Sequence, residues 1–157
     1  MRAALGIAGA GALGGLFVLA ALAASFAPAL SYPVAASSPS TGRLGVAEIG
    51  ALAEAAGFRG SGVAMAIAVA LAESGGDPGS TGHNTDGSVD RGLWQINSVH
   101  GQFSPACDYD PPCAAAAAYK LSSGGTNWRP WVTWQTGAEI RFLPQALSWV
   151  TRAEAGT

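Results

Sequence analysis

The stretch Val63-Ala64-Met65-Ala66-Ile67-Ala68-Val69-Ala70-Leu71-Ala72-Glu73-Ser74 is apolar on every side of a helix until its last two residues. A lone ionisable group at the end of such a helix is the first place to look for chemistry. One turn back from Glu73 lie Val69 and Ala70, so its carboxyl loses hydration, and the negative end of the helix macrodipole also opposes the ionised form. Both effects raise the pKa, which is what a general acid working near neutral pH requires. A plainer reading is a solvated last-turn Glu beside Gly75 and Gly76. Further along, Leu93-Trp94-Gln95-Ile96-Asn97 read as a strand places Trp94 and Ile96 on one face and Gln95 and Asn97 on the other. One face then packs and the other meets a ligand. His83 and His100 have no partner at metal-ligand spacing and read as surface or loop residues, and neither a metal nor a cofactor is expected.

The elements that hold these groups follow from spacing. Val46, Ile49, Leu52, Ala53 and Ala56 recur at helical intervals with Glu48 and Glu54 off that face, which predicts a first helix over Val46 to Phe58. Ser61 suits the N-cap of a second helix from Val63 to Ser74, and that helix belongs in the core. Between Asp77 and Asn97 turn residues and short alternation take over, and Asp86-Gly87 predicts the tight turn of a small hairpin. Ala114 to Leu121 is a short Ala-rich helix carrying Tyr119, and Ser122 to Pro130 is loop. Thr136-Gly137-Ala138-Glu139 has the capping-box form that starts a last helix, bent at Pro144. There is no internal repeat. The predicted class is α+β, mostly α, with a small β-hairpin beside the helix that ends in Glu73.

A chain of 157 residues has room for one domain plus a processing or anchoring segment and is too short for two ordinary cores. From Ala3 to Leu30 no residue is charged, and roughly 20 apolar residues span a bilayer as a helix. Arg2 and the amino terminus carry the only nearby positive charge, which predicts an amino terminus in the cytoplasm and everything after it outside. Small residues at Ala27 and Ala29, and at Val34 and Ala36, suit a signal peptidase, and the length of the run equally suits an uncleaved membrane anchor. The expected organisation is therefore a signal peptide or anchor over 1–30, a Ser/Pro/Gly linker over 31–45 and the domain over 46–157. With Arg2 set aside, seven basic residues face ten acidic ones, and a balance of that sign argues against a nucleic-acid partner. Cys107 and Cys113, the only cysteines, have five residues between them. In an exported domain so close a pair reads as a disulfide closing a small loop. Two reduced thiols are the alternative, and the spacing matches no common zinc site.

Taken together, the downstream residues resemble known families. Glu73-Ser74, Asn84-Thr85-Asp86-Gly87-Ser88, Asp90 and Gly92-Leu93-Trp94-Gln95-Ile96-Asn97-Ser98 resemble the active-site stretch of chicken-type lysozymes. The seventeen-residue interval from Glu73 to Asp90 matches that family's spacing between its two catalytic carboxylates, and Trp131-Val132-Thr133-Trp134 resembles its tryptophan-containing cleft segment. Equally, Glu-Ser followed by Gly-Leu-Trp-Gln-Ile, the Ala-rich helix with Tyr119, and Gly125-Thr126-Asn127-Trp128 through Trp131 resemble the soluble lytic transglycosylase-like domains of bacteria and their phages. Both belong to the lysozyme superfamily. The likeness runs from about Val46 to Leu143, and several motifs in the right order are specific where any one would be weak. Chicken-type lysozymes are held by four disulfides whereas this chain can form at most one, so its framework is similar to the transglycosylase-like branch.

That resemblance implies a lysozyme-like fold and cleavage of peptidoglycan glycan strands between N-acetylmuramic acid and N-acetylglucosamine. Glu73 would protonate the leaving oxygen next to an oxocarbenium-like sugar. In a transglycosylase-like course the sugar's own 6-hydroxyl attacks with Glu73 now the base, leaving an anhydro end. In a lysozyme-like course Asp90 stabilises or traps the cation before water attacks, a pairing of raised glutamate with ionised aspartate known from lysozyme itself. Ser74 and Asn127 belong to the matched motifs and, with Gln95, Asn97, Tyr119 and Trp131, are expected to bind the substrate. Gln95 and Asn97 would offer amides to sugar hydroxyls or N-acetyl groups, or else be a surface Gln and a turn-capping Asn, and Gly92 would admit the glycan to the backbone. Trp128, Trp131 and Trp134 offer flat faces for pyranose rings, with one or two of the three expected to be structural. Tyr119 either bonds near Glu73 or packs its helix, and Asp86 makes the hairpin turn. The implied partners are glycan strands, a membrane if the first segment is uncleaved, and a secretion, conjugation or phage assembly as the setting, all extracytoplasmic. The negative net charge gives no electrostatic help against an anionic wall. A glycan-binding module that holds the wall without cutting it is the reading from another class, and the intact Glu73 speaks against it.

Overall fold

The computed structural model describes residues 42–156; the expected export segment and the linker up to residue 41 lie outside them. Helix α1 (Val46–Ala56) stops before the expected Phe58 because Gly57 turns left-handed at φ 113°. Schellman-type bonds close it, from Gly57 N–H to Glu54 at 3.1 Å and from Phe58 N–H to Ala53 at 3.0 Å. Phe58 drops into the core as a result. Helix α2 (Ser61–Ser74) begins after Gly60, which takes the N-cap position expected of Ser61 without any side-chain bond. Every residue from Val63 to Ala70 except Met65 is buried, so α2 is the central helix the sequence predicts.

The end of α2 is fastened by residues that the sequence assigns to the linker. Arg43 donates to the carbonyls of Ser74 and Gly75 at 3.2 and 3.0 Å, and Leu44 N–H donates to Gly76 at 2.7 Å. Gly76, at φ 84°, permits this approach, because a Cβ there would overlap the Leu44 carbonyl.

Three short antiparallel strands follow, β1 (Thr81–His83), β2 (Val89–Arg91) and β3 (Ile96–Asn97), in the order β1-β2-β3. The hairpin turns at Asp86-Gly87 as expected, with Asn84 N–H bonded to Ser88 O at 2.9 Å. The third strand is shorter than the expected Leu93 to Asn97. Leu93 and Trp94 are both buried, which a strand cannot do on one face, and the chain instead turns, with Gln95 at φ 46°. Gly92, at φ 72°, lies against the Asp108 carbonyl, where a Cβ would overlap it, so its lack of a side chain serves a close approach of protein backbone.

Helices α3 (Pro105–Tyr109) and α4 (Pro111–Leu121) are joined by the Cys107–Cys113 disulfide, so the bridge staples two helices rather than closing a bare loop. Asp110 N-caps α4 through Cys113 N–H at 3.1 Å. Helix α5 (Val132–Thr136) ends where the last helix was expected to begin, because Gly137 caps it at φ 74°. A 3-10 turn at Ile140–Phe142 leads into α6 (Leu143–Ala155). Pro144 sits in the first turn of α6, where a missing N–H costs no helical bond, and so starts the helix instead of bending it. Helix α6 packs on α1 and α2, with Trp149 over Gly50 at a spacing that leaves no room for a Cβ. The architecture is α+β and mostly α. Among the described residues no helix is long and apolar enough to cross a membrane.

Candidate active site

A cleft of about 650 Å³ opens between the end of α2 and the sheet, and Glu73 and Asp90 both line it. Its remaining wall includes the hairpin turn, His83, His100 and the Trp131-Val132 lip, with no Lys or Arg among the described lining residues. A larger groove of about 1130 Å³ lies between α1 and the start of α4, but it is lined mainly by Ala, Leu and Pro side chains. Its one carboxylate, Glu48, is occupied by Gly45 N–H at 2.7 Å, whereas the smaller, polar cleft holds both Glu73 and Asp90.

Glu73 meets the cleft from the apolar side. Burial pushes its carboxyl above the ordinary value; bonds from Thr133 pull the other way, and the charge of Asp90 adds to the rise. Thr133 Oγ1 donates to Glu73 Oε1 at 2.7 Å, and Thr133 N–H to the same oxygen at 3.4 Å. The expected helix-dipole contribution is countered on the spot, since the Arg43 guanidinium lies at the last carbonyls of α2. Burial is the dominant cause.

Asp90 meets it from the polar side. The register pairs Asp90 with Asn97 across β2 and β3, which puts their side chains together. Asn97 Nδ2 donates to Asp90 Oδ1 at 2.7 Å and Asn84 Nδ2 to Oδ2 at 2.8 Å, so both oxygens are engaged. Ser88 Oγ accepts from both amides and donates to Asp86 Oδ1 at 2.7 Å. The Ser88 N–H and hydroxyl hold the Asp86 carboxyl below its ordinary value. Behind this cluster Arg91 pairs with buried Asp108 at 3.4 Å, tying β2 to α3. Burial raises the Asp108 carboxyl against the pull of Arg91.

This geometry has a counterpart among known proteins: the lysozyme-like domain family matches residues 50–133. The chain belongs to that family. Membership places this lysozyme-like domain, at family level, among enzymes that act on peptidoglycan. Invasion protein IagB of Salmonella typhimurium strains SL1344 and LT2, and IagB of Salmonella typhi, are each 61% identical over 36 residues, 23% of this chain and 22% of theirs. The chain thus matches about a fifth of the length of these relatives.

The lysozyme-like domain brings together Glu73, Asp90, Asn97, Gln95 and Trp131 along one cleft. Several are already engaged with protein. Gln95 donates to the carbonyls of Ser80 and Gly92, and Trp131, 3% exposed, gives its indole N–H to Trp94 O at 2.8 Å. Ser74 is buried behind the cleft, its hydroxyl donating to Leu93 O at 2.8 Å and accepting from Gly76 N–H. Tyr119 and Asn127 do not line the cleft. Tyr119 stands edge-on to Phe58 at 5.0 Å, beside Gly57 and Gly124, and Asn127 caps the Arg129 N–H from an exposed loop. Trp128 is buried and stacked on Phe58. Two groups in contact with the carboxylates, Asn84 and Thr133, receive no role of their own from the sequence, although both fall in matched motifs. Asn84 falls in the 84–88 stretch that resembles the lysozyme active site, and its six-residue offset from Asp90 across the hairpin is the local signal for their bond. Thr133 falls in the segment that resembles the lysozyme cleft, but it is 60 residues from Glu73 and nothing local points to their bond.

Proposed function

We propose that this domain cuts peptidoglycan glycan strands between N-acetylmuramic acid and N-acetylglucosamine, as a lytic transglycosylase with Glu73 as general acid and then base. The observation that carries the reading is Glu73 itself, a carboxyl whose pKa burial raises, at the wall of a polar cleft. Its proton goes to the glycosidic oxygen as the C1–O bond breaks, and the bonding pair leaves with that oxygen. The sugar's 6-hydroxyl then attacks C1 and returns its proton to the Glu73 carboxylate, closing an anhydro ring and restoring the acid. Asp90, across the cleft, stabilises the positive charge that develops between these two steps. Asn84 and Asn97 hold its carboxylate in place, which suits an electrostatic helper better than a nucleophile that must advance on carbon. The substrate lies outside the cytoplasmic membrane, so the reading carries an extracytoplasmic location.

A hydrolytic, two-carboxylate course is the second reading, and what favours it is that Asp90 and Glu73 share one cleft. Mass spectrometry of the products from purified peptidoglycan separates the two. Anhydro-ended muropeptides are expected; reducing ends without anhydro sugar would replace the transglycosylase course with hydrolysis.

A further inference from the structure

A carboxylic acid has two oxygens and one proton, and which oxygen carries the proton decides whether the acid can be used. At Glu73 the backbone N–H of Thr133 points at Oε1, and a backbone N–H only donates. The Thr133 hydroxyl, at 2.7 Å from the same oxygen and with no other bond among the described residues, completes a two-donor grip on Oε1. Oε2 makes no hydrogen bond to any described residue. Thr133 does not line the cleft, whereas its neighbours Trp131 and Val132 do, so the grip comes from behind the acid.

We propose that Thr133 is the positioning residue of the acid: it reserves Oε1 as an acceptor and thereby confines the transferable proton to Oε2. Once that proton has gone to the leaving oxygen, the hydroxyl and N–H carry part of the negative charge on Oε1 until a proton returns to Oε2. The proposal rests on the reading of Glu73 as the acid. Other titratable or charged groups near the site are Asp90 on β2, Asp86 in the turn, His83 on β1, His100 after β3 and Arg43 at the end of α2. None bonds the Glu73 carboxyl, and all are unchanged in a Thr133 variant, so a difference between variants reports on Thr133.

The test is the titration of Glu73, followed by carboxyl carbon NMR of glutamate-labelled protein, alongside the pH–rate profile on purified peptidoglycan. Thr133→Val removes the hydroxyl and keeps the shape; its Glu73 midpoint is expected to move up, because a bond that favours the charged form is lost. The limb of the rate profile that reports Glu73 should move with it, and cleavage at neutral pH should fall about tenfold, the low end of what one hydrogen bond to a charged group contributes. Thr133→Ser should restore both, and Thr133→Ala serves as a second hydroxyl-free variant should valine disturb α5. An unmoved midpoint in both hydroxyl-free variants overturns the proposal even where Glu73→Gln is inactive. A moved midpoint with full cleavage by Glu73→Gln upholds the grip on Oε1 and overturns the acid reading instead.

Discussion

The two walls of the cleft are built by opposite means. On the helical wall Glu73 ends a run of buried aliphatic residues, and what governs it is the removal of water, with a single residue, Thr133, bonded to its carboxyl. On the sheet wall Asp90 lies on a short strand among Asn84, Ser88 and Asn97, and what governs it is the supply of donors. The first environment favours a carboxyl that keeps its proton, and the second offers amide hydrogens to a carboxylate oxygen on each side. The contrast shows how one cleft places two groups of the same chemistry in opposite environments.

The sharpest way to break this comparison is Glu73→Gln, which keeps shape and the Thr133 bonds but has no proton to give. Cleavage of purified peptidoglycan should fall about a hundred- to ten-thousand-fold. Activity equal to wild type would remove Glu73 from the chemistry. Asp90→Asn should do less, with a loss of roughly ten- to a hundredfold and unchanged anhydro products, because charge is lost while Glu73 still delivers its proton. If it is as inactive as Glu73→Gln, the sheet wall supplies an obligatory nucleophile and the division of labour drawn above is wrong.

A third effect falls on one wall only. The disulfide braces α3, whose Asp108 pairs with Arg91 beside Asp90 and whose backbone seats Gly92. Replacing Cys107 and Cys113 by serine should lower stability by about 2 kcal/mol, the value expected for so short a loop, read from the urea midpoint. Hydrogen exchange should rise over 81–97 and stay unchanged within α2; equal loosening of both would show that the walls are not braced separately. The smallest effect concerns stability and pH. Because burial raises the Glu73 carboxyl in the folded state, the stability it contributes is complete below its ordinary value of 4.5 and is lost as pH rises through the raised one. Glu73→Gln should therefore melt above wild type at neutral pH, and the gap should close below pH 4.5. A gap that persists in acid would assign it to packing.

Much of the helical wall is legible in the sequence, because an apolar run that breaks abruptly at Glu73-Ser74 admits few other placements. The hairpin is equally legible, since Asp-Gly between alternating residues fixes a turn. The floor between them is not. Alternation suggests a strand through Gln95, yet Leu93 and Trp94 are adjacent and both buried, so the backbone turns left-handed to seat them. Tyr119 and Asn127 show a different limit. Each is noticed through a motif, but a motif gives no direction, and here the ring of Tyr119 is directed at Phe58. Thr133 needs the fold itself, since only the docking of α5 on α2 brings it to the acid.

The carbonyls of Leu93 and Trp94 receive the hydroxyl of Ser74 and the indole of Trp131, each at 2.8 Å, while the indole of Trp94 reaches back to Ala66 at 3.0 Å. Three distant stretches of chain thus meet at one two-residue joint. In terms of inheritance, the helix end, the 93–94 turn and the Trp131 lip form a block: a recombination that exchanges one of them alone strands a buried polar atom in a segment bonded to it. A chimera that swaps this cleft into another member of the fold should therefore carry all three segments or none.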